Sequence, residues 1–239
     1  MRINKYLSEC GLCSRREADR LIAEGRVTVN GCRAENGMQA EEGDIICVDG
    51  RQVCRKREKS YLKFYKPRGI VCTADRRVDN NLADYLNRTE RVTYAGRLDR
   101  ESEGLLLLTD DGDLIDGLMR ARNGHEKEYE VETNREITDD FLDKMRRGIY
   151  LRELGVKTRP CLAERTGEKR FRIVLTQGLN RQIRRMCRAC GFQVRSLKRI
   201  RVANLLLDDM RSGECRELTE QELQTLQNIV RGNGNGKEA

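Results

Sequence analysis

Between Glu168 and Asp208 the chain runs 39 residues without an acidic side chain while carrying eleven Lys or Arg. Eleven cations with no anion among them repel one another in a compact fold unless an external polyanion lies beside them, and nucleic acid offers one charge per phosphate. A run that mixes signs reads as a solvated face, but here the signs do not mix. The excess persists over the whole sequence: 47 Lys or Arg stand against 39 Asp or Glu in 239 residues, a formal net charge of +8. Nucleic-acid binding is the expectation this sets.

Other classes drop out quickly. A single histidine, His125, leaves no His-rich metal site and no HExxH protease, and any Ser-His-Asp relay would have to pass through it. Leu105 to Leu108 is the longest aliphatic run, far short of the ~20 residues of a membrane span or the ~7–15 of a signal peptide. A cytoplasmic protein with no membrane association is expected, with its ten cysteines reduced.

The first 55 residues read as a separate module. Ile3 and Leu7 suggest a short helix, and Ser14 followed by Glu17 is a capping box that opens a second. Ala18, Leu21 and Ile22 form its apolar stripe, leaving Arg15, Arg16 and Arg20 off it. Gly25 ends that helix, Val27 and Val29 alternate as a strand, and Asn30-Gly31 signals a tight hairpin. A further strand is expected over 45–48. These residues, through both helices and the hairpin, resemble the S4 RNA-binding domain, which implies that Arg15, Arg16 and Arg20 face RNA phosphates.

Residues 56–60 read as a charged linker, 61–231 as a larger domain, and the Gly/Asn-rich 232–239 as a disordered tail. Strands are expected at 61–65, 70–73, 105–109, 128–133 and 170–176, and helices near 113–122, 138–147 and 180–190. Helices and strands intersperse without a regular βαβ rhythm, so the class is α+β with a mainly antiparallel or mixed sheet and flanking helices.

Two stretches could carry chemistry. Gly96-Arg-Leu-Asp99 lies in a polar loop that feeds the aliphatic run, where an aspartate can act as nucleophile or base, although most loop aspartates merely cap turns and spacing alone does not decide it. In the second, a helix near 180–190 places Ile183, Met186, Cys187 and Cys190 on one face and Arg181, Arg184, Arg185 and Arg188 on the other. One face packs and the other meets anions.

With Tyr65-Lys-Pro-Arg-Gly69 and Lys127-Glu-Tyr129, these segments resemble the motifs of bacterial pseudouridine synthases of the RsuA type, which carry an S4 domain in front of the catalytic domain. The combination of Asn123–Tyr129 with Gly178–Met186 is most similar to RluF-like members acting on large-subunit (23S) ribosomal RNA. The resemblance runs from residue 2 to about residue 220. It implies an isomerase that flips a uridine out of its stack, breaks the N1 glycosidic bond with Asp99 acting at C1′, and rejoins the base through C5. Asp99, Tyr129 and Arg184 are thereby the implied catalytic residues, Tyr129 stacking on the base or moving a proton and Arg184 pairing with Asp99. Arg97, Lys66, Lys127, Arg181, Arg185 and Arg188 are implied RNA contacts. Ser102 stands where many members have Thr. No metal or organic cofactor is implied, and the expected partner is ribosomal RNA, bound by a monomer.

Alternatives remain open at this level. The same chemistry could serve 16S rRNA or tRNA, and a non-catalytic S4-type assembly factor would use the basic surfaces alone. Cys10-Gly-Leu-Cys13 and Cys187-Arg-Ala-Cys190 together would supply four thiolates for zinc, but Cys187 and Cys190 already belong to the apolar helix face. His125 reads as structural or as an RNA contact.

Overall fold

A computed structural model of the chain describes residues 1–54, 58–87, 92–120 and 123–232. It divides into two compact units, the first built on Met1–Ser60 and the second on Tyr61–Asn87, Tyr94–Leu108 and the residues from Asp113 on. Part of the expected linker, residues 56 and 57, lies outside the described residues, as does the expected tail beyond Gly232.

In the first unit, α1 (Ile3–Glu9) and α2 (Arg15–Ala23) pack on a four-stranded antiparallel sheet of β1 (Val27–Val29), β2 (Cys32–Arg33), β3 (Ile46–Val48) and β4 (Arg51–Gln52), in the order β2-β1-β3-β4. Local chemistry sets these elements. The Ser14 hydroxyl accepts the Glu17 N–H at 3.1 Å and so caps α2. Asn30 (φ 51°) and Gly31 (φ 82°) both take the positive φ that a two-residue hairpin between Val29 and Cys32 requires. The strand expected at 45–48 starts at Ile46, because the Ile45 N–H is taken by the Asn30 side chain at 2.9 Å. Ile3, Leu7, Ala18, Leu21 and Ile22 from the helices meet Val27, Val29, Ile46 and Val48 in one buried core.

The second unit is a mixed nine-stranded sheet. Its main path is β11 (Leu162–Gly167), β12 (Arg170–Leu175), β8 (Lys127–Thr133), β13 (Val194–Val202), β7 (Glu103–Thr109), β5 (Tyr61–Lys66) and β15 (Cys215–Glu217). The pairs from β11 through β13 are antiparallel, whereas β13 joins β7 in parallel with Arg199 opposite Gly104. A side chain at Gly104 (φ +109°) would collide with the backbone carbonyl of Arg199, so only glycine admits this join. β6 (Thr93–Ala95) pairs with β7, and β14 (Leu205–Leu206) with β13. Helices α3 (Leu82–Leu86), α4 (Gly112–Met119), α5 (Asp139–Arg147), α6 (Gln182–Ala189) and α7 (Glu220–Gly232) complete the unit, with a hairpin of β9 (Tyr150–Leu151) and β10 (Val156–Lys157) after α5.

Three expectations change. No strand forms at 70–73: Val71 makes only an isolated bridge to Asn81, and the Ile70 carbonyl is used by the Lys66 ammonium instead of a ladder. The acid-free run contains an unexpected central strand, β13, whose inward Leu197 and Arg199 follow the strand period through the charges until an irregularity between Arg199 and Arg201 turns Val202 inward. The chain also closes on an unexpected helix. Buried Lys63 on β5 holds Glu222 of α7 at 2.5 Å and Asp208 at 3.3 Å, while Leu226 of α7 is buried. The end of the helix expected at 113–122 falls at 121–122, outside the described residues.

Candidate active site

Asp99 stands in the turn between β6 and β7, where its backbone carbonyl accepts the Ser102 N–H at 3.0 Å. This loop is clamped from several sides. Arg199, 2% exposed, donates from Nε to the Leu105 carbonyl at 2.7 Å and from Nη2 to the Gly96 carbonyl at 3.1 Å, so it ties both ends of the loop to β13. Gly69 donates to the Arg100 carbonyl at 2.7 Å, and Arg100 Nε returns to the Gly69 carbonyl at 3.3 Å. The Lys66-Pro67-Arg68-Gly69 turn is fixed in its own right by Lys66, whose ammonium reaches the carbonyls of Pro67 and Ile70, each at 2.8 Å.

That observation corrects two expected RNA contacts. Lys66 is 0% exposed and Lys127 is buried, its Nζ donating to the His125 carbonyl at 3.0 Å. Burial lowers the pKa of both, that of Lys127 to about 8 with a further push from Arg199. Their donors are spent on backbone carbonyls, so they shape the loops rather than touch phosphates. His125 is also buried, and burial followed by Lys127 lowers its pKa, which leaves it a structural residue without access to RNA.

Asp99 opens onto a narrow cleft of ≈ 90 Å³ whose lining includes Arg97, Tyr129, Gln177, Arg181 and Leu197. Tyr129 projects from β8, opposite Ile173 on β12 and Arg199 on β13, so two flanking strands fix its ring. Its hydroxyl has no hydrogen-bond partner among the described residues. Leu175 and Leu197 supply apolar walls. A flat ring entering here meets an aromatic face on one side and a carboxylate at the rim.

The carboxylate faces two guanidiniums. Arg181 Nη1 and Arg184 Nε each lie 3.9 Å from Asp99 Oδ2. Arg184 is held by its other nitrogens, Nη2 reaching the Glu101 carbonyl at 3.3 Å and the buried Ser102 hydroxyl at 3.2 Å. Burial pulls the Arg184 pKa below the ordinary arginine value, and its Nε has no hydrogen-bond partner. Arg181 occupies the N-cap of α6 with φ 51°. A second acid, missed in the sequence, competes for both: Glu101 accepts from Arg181 Nη2 at 3.1 Å and lies 3.8 Å from Arg184 Nη1. Arg181, then Arg184, lowers the Glu101 pKa. Its spacing two residues after Asp99 was the only available signal.

The premise that the acid-free run lacks compensating anions is corrected by the tertiary structure. Arg170 and Arg172 meet Glu132 and Glu128 across the sheet, and Arg201 meets Glu126 and Glu128. Arg185 and Arg188 share Glu153, and Lys198 lies over the Tyr65 ring at 5.5 Å. Arg97 is exposed at the cleft mouth. In the first unit, Arg15 and Arg16 are exposed, while Arg20 is engaged by Glu17 at 2.5 Å and Glu24 at 3.8 Å along its own helix. As for metals, no group of three or more His, Cys, Asp or Glu is placed to hold an ion among the described residues. Cys187 is wholly buried in the core, and burial pushes its thiol up to about 12.

Comparison with known proteins gives the cleft a context. The sequence pattern of the RNA pseudouridylate synthase family matches residues 60–189 and that of the S4 domain matches residues 1–46. The "Dual-specificity RNA pseudouridine synthase RluF" of Escherichia coli K12 is 44% identical over 233 residues, covering 96% of this chain and 79% of that protein. The "Ribosomal large subunit pseudouridine synthase B" of Bacillus subtilis is 36% identical over 238 residues, covering 96% of each. Among solved structures, a crystal structure of a pseudouridylate synthase superposes with a TM-score of 0.67 at 28% identity, covering 95% of this chain and 99% of that one.

Proposed function

The chain belongs to the RNA pseudouridylate synthase family and carries an S4 domain in front of its catalytic domain, and from that premise we propose that it converts a specific uridine of large-subunit (23S) ribosomal RNA to pseudouridine. The observation that carries the reading is the Asp99 carboxylate, 3.9 Å from Arg181 and from Arg184, at the rim of a cleft walled by Tyr129. The ribosomal target rests on the names of similar proteins, which include ribosomal large-subunit synthases. The term "dual-specificity" in others favours a second RNA target alongside it.

In this reading Asp99 acts at C1′ as the N1–C1′ bond breaks, by attack or by stabilising the positive charge that develops there. Tyr129 stacks on the freed uracil and holds it while it turns. C5 then bonds to C1′, the C5 proton leaves to solvent and N1 regains one, so no water adds to the sugar and the atoms balance. Arg184 and Arg181 orient the carboxylate, Arg97 contacts the RNA at the cleft mouth, and Arg15 and Arg16 of the S4 module hold further phosphates. Residues 1–55 form the RNA-binding module and 61–231 the catalytic domain. The latter continues past the matched family pattern because β13, β15 and α7 complete one sheet and its cover. The reading takes the chain to act as a monomer, and an rRNA substrate implies work in the cytoplasm.

Incubation with RNA carrying tritium at uridine C5, with rRNA and tRNA tested separately, reads the chemistry as tritium released to water. Release from rRNA that falls by at least ~10²–10³ in Asp99→Asn with RNA affinity retained is expected. Undiminished release from that variant would overturn the assignment.

A further inference from the structure

We propose that the groove between α6 and the β9–β10 hairpin binds an unpaired nucleotide of the same RNA strand that delivers the target uridine, with Tyr150 stacking on its base. This rests on the RNA-isomerase reading above and adds a second nucleotide site to it. The groove encloses ≈ 600 Å³, against ≈ 90 Å³ for the Asp99 cleft. That is within the ~300–1,000 Å³ that accommodates an organic ligand of several rings.

Three observations identify the occupant. The first is Tyr150, a residue 57% exposed on β9 although most large apolar side chains of this unit are buried. An exposed ring fixed on a strand offers a stacking platform to any base, since every base has a π-face. The second is charge. Arg152, Arg185 and Arg188 line the groove, and Lys157 is the cross-strand neighbour of Tyr150. Against these four cations stands one carboxylate, Glu153, which bridges Arg185 and Arg188. Cations around an aromatic platform are the pattern of single-stranded nucleic-acid grooves.

The third observation is continuity. Arg181 and Arg184 at the start of α6 face Asp99, and Arg185 and Arg188 of the same helix face the groove. Arg181 to Arg188 spans roughly 10 Å of helix, a length that one RNA strand crosses in a few nucleotides. A strand whose uridine enters the cleft therefore continues along α6 into the groove. In the free protein Glu153 holds the two arginines in place. With RNA bound, phosphate competes for Arg188, whose side chain is 71% exposed.

The test uses the full chain and large-subunit rRNA. Dissociation constants come from filter binding, KM and kcat from tritium release, and contacts from ultraviolet crosslinking followed by peptide mapping. Tyr150→Ala is expected to raise Kd and KM by about tenfold with kcat within about twofold. Tyr150→Trp retains the wild-type Kd, because stacking does not need the hydroxyl. Arg188→Ala makes the salt dependence of log Kd shallower by about one unit, and the crosslink falls between residues 148 and 157. An unchanged Kd in Tyr150→Ala with no crosslink in that peptide overturns the groove, including the case in which it serves a protein partner. If wild-type protein releases no tritium from any RNA, the isomerase reading fails instead, while Kd and the crosslink still decide the groove.

Discussion

Arg184 Nε approaches Asp99 Oδ2 to 3.9 Å, inside ion-pair range but beyond a hydrogen bond, while Arg184 Nη2 is hydrogen-bonded to Ser102 and to the Glu101 carbonyl. The guanidinium is thus fixed by the loop that carries the aspartate, and its free Nε is aimed at the carboxylate. Planar, multi-donor geometry is what lets one side chain do both.

Arg184→Lys tests this division of work. A lysine keeps the charge but cannot hold the loop and face Asp99 together. The expected outcome is a fall in kcat of about 10- to 100-fold with Kd for rRNA within about twofold, read by single-turnover tritium release and filter binding. Wild-type turnover would show that the charge alone suffices.

Glu101→Gln addresses the competing acid. Glu101 takes Arg181 at 3.1 Å, a guanidinium that also reaches Asp99. Neutralising it frees a cation for phosphate, so RNA binding tightens at low salt and the slope of log Kd against log salt steepens by about one. An identical slope in variant and wild type would mean that Arg181 does not contact RNA.

Gly104→Ala places a methyl against the Arg199 carbonyl at φ +109°. The parallel join of β7 to β13 must open, and with it the Arg199 clamp on the Asp99 loop. A loss of about 3 kcal/mol in urea unfolding is expected, with activity lost at temperatures where the wild type is folded. A variant as stable as the wild type would refute the close approach.

Lys127 makes stability depend on alkaline pH. Its folded pKa is about 8, below the ~10.4 of an unfolded lysine. Between these values the unfolded chain binds more protons, so stability rises with pH. Below pH 8 both states are charged and the burial penalty is fully felt. Relative to Lys127→Met, the wild type should therefore gain stability from about pH 8 to 10.4, by up to ~3 kcal/mol. Parallel urea-unfolding curves across that range would contradict the buried ammonium.

The short-range features were legible because their causes are short-range. Ser14 and Glu17 lie three residues apart, Asn30-Gly31 contains its whole turn, and the arginine face of α6 follows from helical period. Asp99, Tyr129 and Arg184 were found through motif resemblance, and one fold brings them to the same place from a loop, a strand and a helix. The central strand β13 was missed because its inward positions lie in a dense charge run, one of them being Arg199 itself, and a register shift after Arg199 breaks their alternation.

By itself, then, the sequence determined the two-module order, the local caps and turns, the family of motifs and the sign of the charge. Only the tertiary structure decided what that charge does. Glu101, Glu128, Glu132 and Glu153 come from outside the acid-free run to pair with its arginines, and burial turns Lys66 and Lys127 from surface cations into loop anchors. Electrostatic pairing and desolvation act through space, over a few ångströms. Which residues share those few ångströms is settled only when distant strands meet in one sheet.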